Sequence, residues 1–329
     1  MRINLDTTIQ KERKQTMANV FFQATQDALE NITAAFDFVH PLRAGMKYTR
    51  RKISEINASN PAADGRIFQS EVDPDQEIHG VDYRSSYIDT PWEQQEEQLA
   101  WLLLNNLLAI HEGWIQRLYE ERFSAKGYAE KKFVKNLEYP KLASKFLTYY
   151  AAGNKKSVTM YNAYFEVYKI SSKLDFNKLD TYMLLYRFFK EARNCYMHHS
   201  FVASKDIVDA YTKYSQNVAF GDLDAAEAPV IIPPVLGHPV RLSIRGVIGF
   251  SQFVRRILII SDAYLIMTTA AEDEFFSKKP TNWPSKTLST DASRAERQIK
   301  KYSNKIGLLK PIWSIEYQNF LIRHKIFNL

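Results

Sequence analysis

The sequence predicts an all-α protein, and three observations carry that prediction. Only 11 glycines occur in 329 residues, too few for a Gly-rich nucleotide-binding fold or a turn-dense β-sandwich. Hydrophobic residues make up 45% and aromatic residues 13% of the chain, which supplies a sizeable core and lies outside the composition of disordered segments. Over long runs the apolar residues recur at three-and-four spacing, the period of a helix with one buried face.

Each element follows in order. Val20, Phe21, Ala24, Ala28, Ile32, Ala35 and Phe36 share one face of a first helix expected from Gln10 to Val39, with Pro41 as its stop. The basic cluster Lys47, Arg50, Arg51 and Lys52 leads into residues rich in Asn, Asp, Pro and Gly, which read as a long surface loop over about 53–89. Thr90 as N-cap, Pro91 at the first helical position and Glu93 three after the cap spell a capping box, which opens a second helix expected to reach Phe123. Further helices are expected over Lys141–Ala151, Lys155–Ser171 and Asn177–Ser200. In "VIIPPVLGHPVRL", Val230 to Leu242, prolines and a glycine stand among β-branched residues, the pattern of a small β-hairpin or an extended arm. A long helix from Ser243 to Phe276, a loop "KKPTNWPSK", a basic helix from Asp291 to Ile306 and the apolar segment "WSIEYQNFLIRHKIF" complete the chain. Two parts result: a helical bundle over 1–276 that includes the N-terminal helix and the loop, and a basic helical extension over 277–329.

The net charge of +7 eases attraction of an anionic partner. Cys195 is the single cysteine and cannot form an internal disulfide, and "MRINLDTTIQKERKQ" lacks the apolar stretch of a secretory signal, so a cytoplasmic protein is expected. No membrane span is expected either. "LAWLLLNNLLAI" is too short, and "GVIGFSQFVRRILIISDAYLIMTTAA" is interrupted by Arg255, Arg256 and Asp262. "HEGWI" at His111 starts like a zinc-protease helix but has Ile115 where the second histidine is needed. His40, His79, His238 and His324 are scattered singly, and no Gly-rich phosphate loop occurs, so neither a metal nor a cofactor is expected.

The chemistry concentrates in "RFFKEARNCYMHHS", Arg187 to Ser200. Tyr182, Tyr186, Phe189, Arg193 and Tyr196 step by four, three, four and three, so Arg193 falls inside an apolar stripe. A guanidinium stays charged and cannot be buried alone; it calls for a carboxylate, a phosphate or a wet crevice. Asn194, His198 and His199 add groups that orient phosphates and move protons near neutral pH, although histidines near a helix C-terminus also simply favour its dipole. Elsewhere, Arg294, Arg297, Lys300 and Lys301 on the basic helix are candidate RNA-backbone contacts or a solvated face, together with "KYTRRK". Tyr149, Tyr150, Tyr161, Tyr164 and Tyr168 can stack on bases or serve as core.

The run Arg193-Asn194-Cys195-Tyr196-Met197-His198 resembles the Arg-polar-x-x-x-His motif of the HEPN superfamily, helical-bundle domains that include metal-independent RNases of toxin–antitoxin, abortive-infection and CRISPR systems. The resemblance covers about Thr90 to Phe276. It implies Arg193 as the phosphate-binding arginine, Asn194 as the polar residue that helps to orient the site and His198 as the catalytic histidine, with His199 second at a spacing the family also tolerates. It further implies an endoribonuclease that needs no metal, a homodimer through this helix, a toxin or anti-phage role, and an antitoxin or sensor protein as partner. The tyrosine whose nucleotidylation silences HEPN toxins is Ser200 here, which argues against that control. The alternative expectation is a non-catalytic HEPN-like module that binds a ligand or holds a dimer.

Residues five apart on a helix differ by about 140° in direction, so Arg193 and His198 cannot meet on one copy as residues three or four apart do. Two copies about a two-fold axis would bring both pairs to one cleft.

Overall fold

The first helix runs straight through the proline expected to end it. In the computed structural model, which describes residues 19–75, 80–123, 156–218, 223, 229–281, 283 and 286–328, α1 spans Gln23–Ser59 with Pro41 inside it. A proline costs a helix one hydrogen bond and crowds the preceding turn. Here its ring lies on the exposed side, while Val39 before it and Ile53 after it are buried, so packing outweighs the local cost. The expected start at Gln10 and the helix over 141–151 lie outside the described residues, while Val20 and Phe21, expected on the first helix, precede it in non-helical backbone.

The expected surface loop is instead a folded excursion. It holds α2 (Gly65–Val72), opened by Asp64 accepting from the amides of Arg66 and Ile67, and a π turn over Ser85–Asp89. Ile53, Ala63, Phe68 and Tyr83 form a small apolar cluster beneath it, so polar composition hid a period that buries only every few residues. The next helix, α3 (Trp92–Leu118), starts one residue later than expected and runs into a π turn at Tyr119–Phe123. The Thr90 hydroxyl and amide are both spent on the Ser85 carbonyl, at 2.9 and 3.0 Å, closing the π turn.

Helical turns Val158–Met160, Tyr161–Phe165 and Glu166–Ser172 run on as α4, followed by α5 (Leu179–His198) and α6 (Lys205–Asn217). The long helix expected over 243–276 is two: α7 (Ile244–Leu265) and α8 (Ala270–Ser277). Between them the Met267 carbonyl accepts the Lys156 and Ser157 amides at 3.0 and 3.1 Å, two bonds to a segment distant in sequence that draw the backbone out of the helix. Then come α9 (Ala292–Lys305), N-capped by Asp291, whose side chain accepts the Arg294 amide, and α10 (Ile315–Arg323). The described strands are two short ones, β1 (Lys286–Thr287) and β2 (Phe327–Asn328), paired in parallel. Residues 230–242 form the extended arm and not a hairpin: the arm bridges Val202 through Pro239 instead of folding on itself. Among the described residues no helix is long and apolar enough to cross a membrane.

The chain divides into two compact units, each assembled from separate stretches of sequence. One unit comprises Met1–Leu29, Glu112–Met183 and Arg255–Leu329, so the basic C-terminal part shares a core with earlier helices. That core is aromatic: Tyr164 hydrogen-bonds to Ser303 at 2.9 Å and to Tyr317 at 2.8 Å, and Phe275 packs edge-on against Tyr302 and Tyr317. Two buried carboxylates cap the start of α1, Asp262 accepting from the amides of Phe21 and Phe22 and Glu274 from that of Gln23. Burial pushes Asp262 up to about 7 against the pull of those amides.

The other unit comprises Glu30–His111 and Leu184–Val254. Phe189 stacks on Phe250 at 4.3 Å between ring centres, and Glu97 accepts both the Arg241 guanidinium at 2.6 Å and the Leu242 amide at 3.0 Å. The arm passes close over α7 because Gly246 and Gly249 lack side chains: a Cβ on Gly246 would stand 2.3 Å from the Val230 carbonyl oxygen.

Candidate functional site

The apolar stripe of α5 sinks into the core at its start and surfaces at its end. Tyr182, Tyr186 and Phe189 are buried, Arg193, Asn194 and Tyr196 are half-buried, and Met197, His198 and His199 are exposed. Arg193 therefore sits where the stripe nears the surface, half-buried and with its Nε enclosed. Asn194 donates to Glu191 at 3.1 Å, and Glu191, itself buried, pairs with Arg187 at 2.5 Å. The carboxylate thus fixes the Asn194 amide in one orientation.

The helix ends in an uncommon turn. The Cys195 carbonyl accepts the amides of both His199 and Phe201, at 3.0 and 3.1 Å, and Ser200 and Phe201 take left-handed φ of 48° and 68°. Non-glycine residues pay for that conformation, so surrounding contacts must hold it. Phe201 packs edge-on against Tyr196 and Trp101, at 4.7 and 5.7 Å between ring centres, and its carbonyl accepts the Val240 amide at 2.7 Å. The aromatic clamp and the arm together present His198 and His199 on a rigid, exposed corner.

That arm also brings in a residue that looked isolated in sequence. Ala203 donates its amide to the His238 carbonyl at 2.8 Å, and Gly237 donates back to the Ala203 carbonyl at 3.1 Å. A third histidine thus lies against the same turn. No sequence signal pointed to it, because the bridge joins positions more than thirty apart. Beside the turn opens a cleft of about 540 Å³, lined by Glu93, Glu97, Trp101, Ser200, Phe201 and Arg241 among others. Arg193, Asn194, His198 and His199 do not line it.

The remaining candidates separate. Tyr164 and Tyr168 are buried core, so neither can stack on a base; Tyr149 and Tyr150 lie outside the described residues. In the basic cluster, Lys47 lies over the Trp92 ring, Arg50 donates to the Thr90 carbonyl at 2.9 Å and Arg51 reaches Glu55 at 3.9 Å, which makes these cations part of the scaffold. On α9, Lys300 pairs with Glu296 at 2.5 Å, whereas Arg294, Arg297 and Lys301 line an open groove with residues 287–290. Among the described residues, no group of three or more His, Cys, Asp or Glu is placed to hold a metal ion.

No family model, curated protein or solved structure matches the chain. The functional reading therefore stands on the residues and their geometry.

Proposed function

We propose that this protein is a metal-independent endoribonuclease of HEPN type, acting as a homodimer through the exposed end of α5. The observation that carries this reading is the order along that helix: a half-buried Arg193 and a braced Asn194, then His198 and His199 on a rigid exposed corner. An arginine half-buried at the edge of an apolar face can grip a phosphate, and paired histidines can move protons near neutral pH.

The reaction is transesterification within RNA. The 2′-hydroxyl attacks the adjacent phosphorus, a histidine takes its proton, and the bond to the 5′-oxygen breaks as a second acid returns a proton to it. The products are a 2′,3′-cyclic phosphate and a 5′-hydroxyl. Arg193 stabilises charge that builds on the phosphoryl oxygens, and Asn194 acts as a positioning residue. Because Arg193 and His198 diverge by about 140° on one helix, each centre draws its arginine and histidine from facing copies. A role as a toxin or anti-phage effector held in check by an antitoxin or sensor protein accords with this chemistry.

The test is cleavage of single-stranded RNA by the purified protein with and without chelator. Chelator is expected to change nothing, and His198→Ala and Arg193→Ala are each expected to reduce cleavage by about a hundred- to ten-thousand-fold while the protein stays folded. A milder loss is expected for His199→Ala. Cleavage that survives both changes, or that requires added metal, would overturn the assignment. If the parent never cleaves and the substitutions alter only dimerisation or binding, the non-catalytic module is the correct reading.

A further inference from the structure

The groove on α9 differs from an ordinary charged helix face in three respects. First, its cations converge on a concavity. Arg294, Arg297 and Lys301 line an open space of about 770 Å³ together with Thr287, Leu288, Ser289, Thr290 and Gln298, and no carboxylate stands in that lining. Second, the walls are fixed. Gln298 accepts the Ser289 amide at 2.8 Å and donates to the Thr287 carbonyl at 3.3 Å, Leu288 is buried with its amide on the Asn328 carbonyl, and Ser289 Oγ accepts the Asp291 amide at 3.2 Å. Third, the cations are available. Among the described residues neither Arg294 nor Lys301 has an ion-pair partner, and Arg297 commits only Nε, to the Ser293 carbonyl at 3.2 Å. Lys300 is the counter-example on the same helix, neutralised by Glu296 and outside the groove.

Positions 294, 297 and 301 are spread over about 10 Å along the axis at 1.5 Å per residue. That spread exceeds a single phosphate and matches an extended polyanion. The hydroxyls of Thr287, Ser289 and Thr290 add neutral donors of the kind that accompany cations on phosphate oxygens. The one aliphatic residue in the lining, Leu288, is buried, so the groove offers nothing to insert into a lipid surface.

We propose that this groove holds the phosphodiester backbone of single-stranded RNA, with Arg294, Arg297 and Lys301 as its phosphate ligands and Lys300 taking no part. The groove reads the backbone and not the bases, so it adds affinity without sequence preference. The assignment of RNA as the polyanion rests on the proposed ribonuclease reading.

The experiment measures binding of the full-length protein to a 2′-O-methyl oligoribonucleotide, which keeps the phosphates but lacks the attacking hydroxyl, across a salt series. The triple change Arg294→Gln, Arg297→Gln, Lys301→Gln is expected to weaken binding and to reduce the slope of log K against log salt by about two units, at about 0.7 per phosphate contact on a single strand. Lys300→Gln is expected to leave affinity and slope unchanged, and all variants should unfold at the parent's temperature, since the four side chains lie at the surface. An unchanged slope in the triple variant would overturn the groove, whether or not the protein cleaves RNA. A reduced slope in a protein that never cleaves would leave the groove standing and remove the nuclease reading. Loss of binding to anionic phospholipid vesicles in place of the oligonucleotide would assign the groove to membranes and overturn the RNA proposal.

Discussion

The Tyr186 hydroxyl and His111 Nδ1 share a 2.9 Å hydrogen bond where solvent reaches neither ring. Burial, reinforced by the Lys190 charge, pushes the imidazole down to about 3 from its usual 6.5, so His111 is neutral in the folded protein at any ordinary pH.

The unfolded chain binds a proton at His111 below about 6.5 and the folded one does not, so the stability this residue contributes is complete above that value and falls as pH drops toward 3. Between pH 6.5 and pH 5 the loss is about 2 kcal/mol, at 1.36 kcal/mol per unit. His111→Gln, which keeps a partner for Tyr186, is expected to lose less stability than the parent on acidification over that range. Thermal unfolding at pH 7 and pH 5 measures the difference, and equal acid sensitivity in both would refute the buried neutral imidazole.

Asp262 has the opposite sign. Its carboxyl is raised by burial to about 7 from 3.8, so its contribution is complete below 3.8 and is lost as pH rises toward 7. Asp262→Asn keeps one acceptor for the two amides at the start of α1 and removes the titration. The variant should be less stable than the parent by about 1–3 kcal/mol at pH 5, the usual cost of a buried unsatisfied donor, with a smaller gap at pH 8. Denaturant titrations at the two pH values decide; a gap that widens with pH would mean the amides hold a true carboxylate.

Gly246 and Gly45 make a paired test of backbone approach. Both are helical, but a Cβ at Gly246 would meet the Val230 carbonyl oxygen at 2.3 Å and one at Gly45 would meet nothing within 4 Å. Alanine in a helix gains about 1 kcal/mol over glycine, so Gly45→Ala should stabilise by up to that amount. Gly246→Ala should destabilise by about 1–3 kcal/mol despite that gain, because the arm must shift. Chemical denaturation of the two variants reads both signs.

Met197 and Val202 are 55% and 40% exposed on either side of the histidine pair, an apolar margin suited to a self-complementary interface. Light scattering is expected to give twice the chain mass, and Met197→Asp is expected to shift the population toward monomer and lower RNA cleavage in proportion. A protein that is monomeric at every concentration yet fully active would overturn the shared-site geometry.

Part of the order of segments from Trp92 onward was legible in the sequence because it depends on local rules, but α6 carried no expectation and α7 and α8 read as one helix. Helical periodicity placed α5 and α9 within a few residues of where they stand. The stripe through Arg193 was equally readable, since direction around a helix follows from spacing alone. Tertiary packing decided the rest. Pro41 stays helical because buried residues flank it on both sides, and the expected loop folds because Phe68 and Tyr83 find Ile53. The expected long helix breaks at Met267 because its carbonyl bonds Lys156, and His238 joins the histidine turn because the arm bridges Val202. Each of these outcomes is set by a partner distant in sequence, whose free energy outweighs a local preference of about 1–3 kcal/mol, and no local pattern records where such a partner will stand.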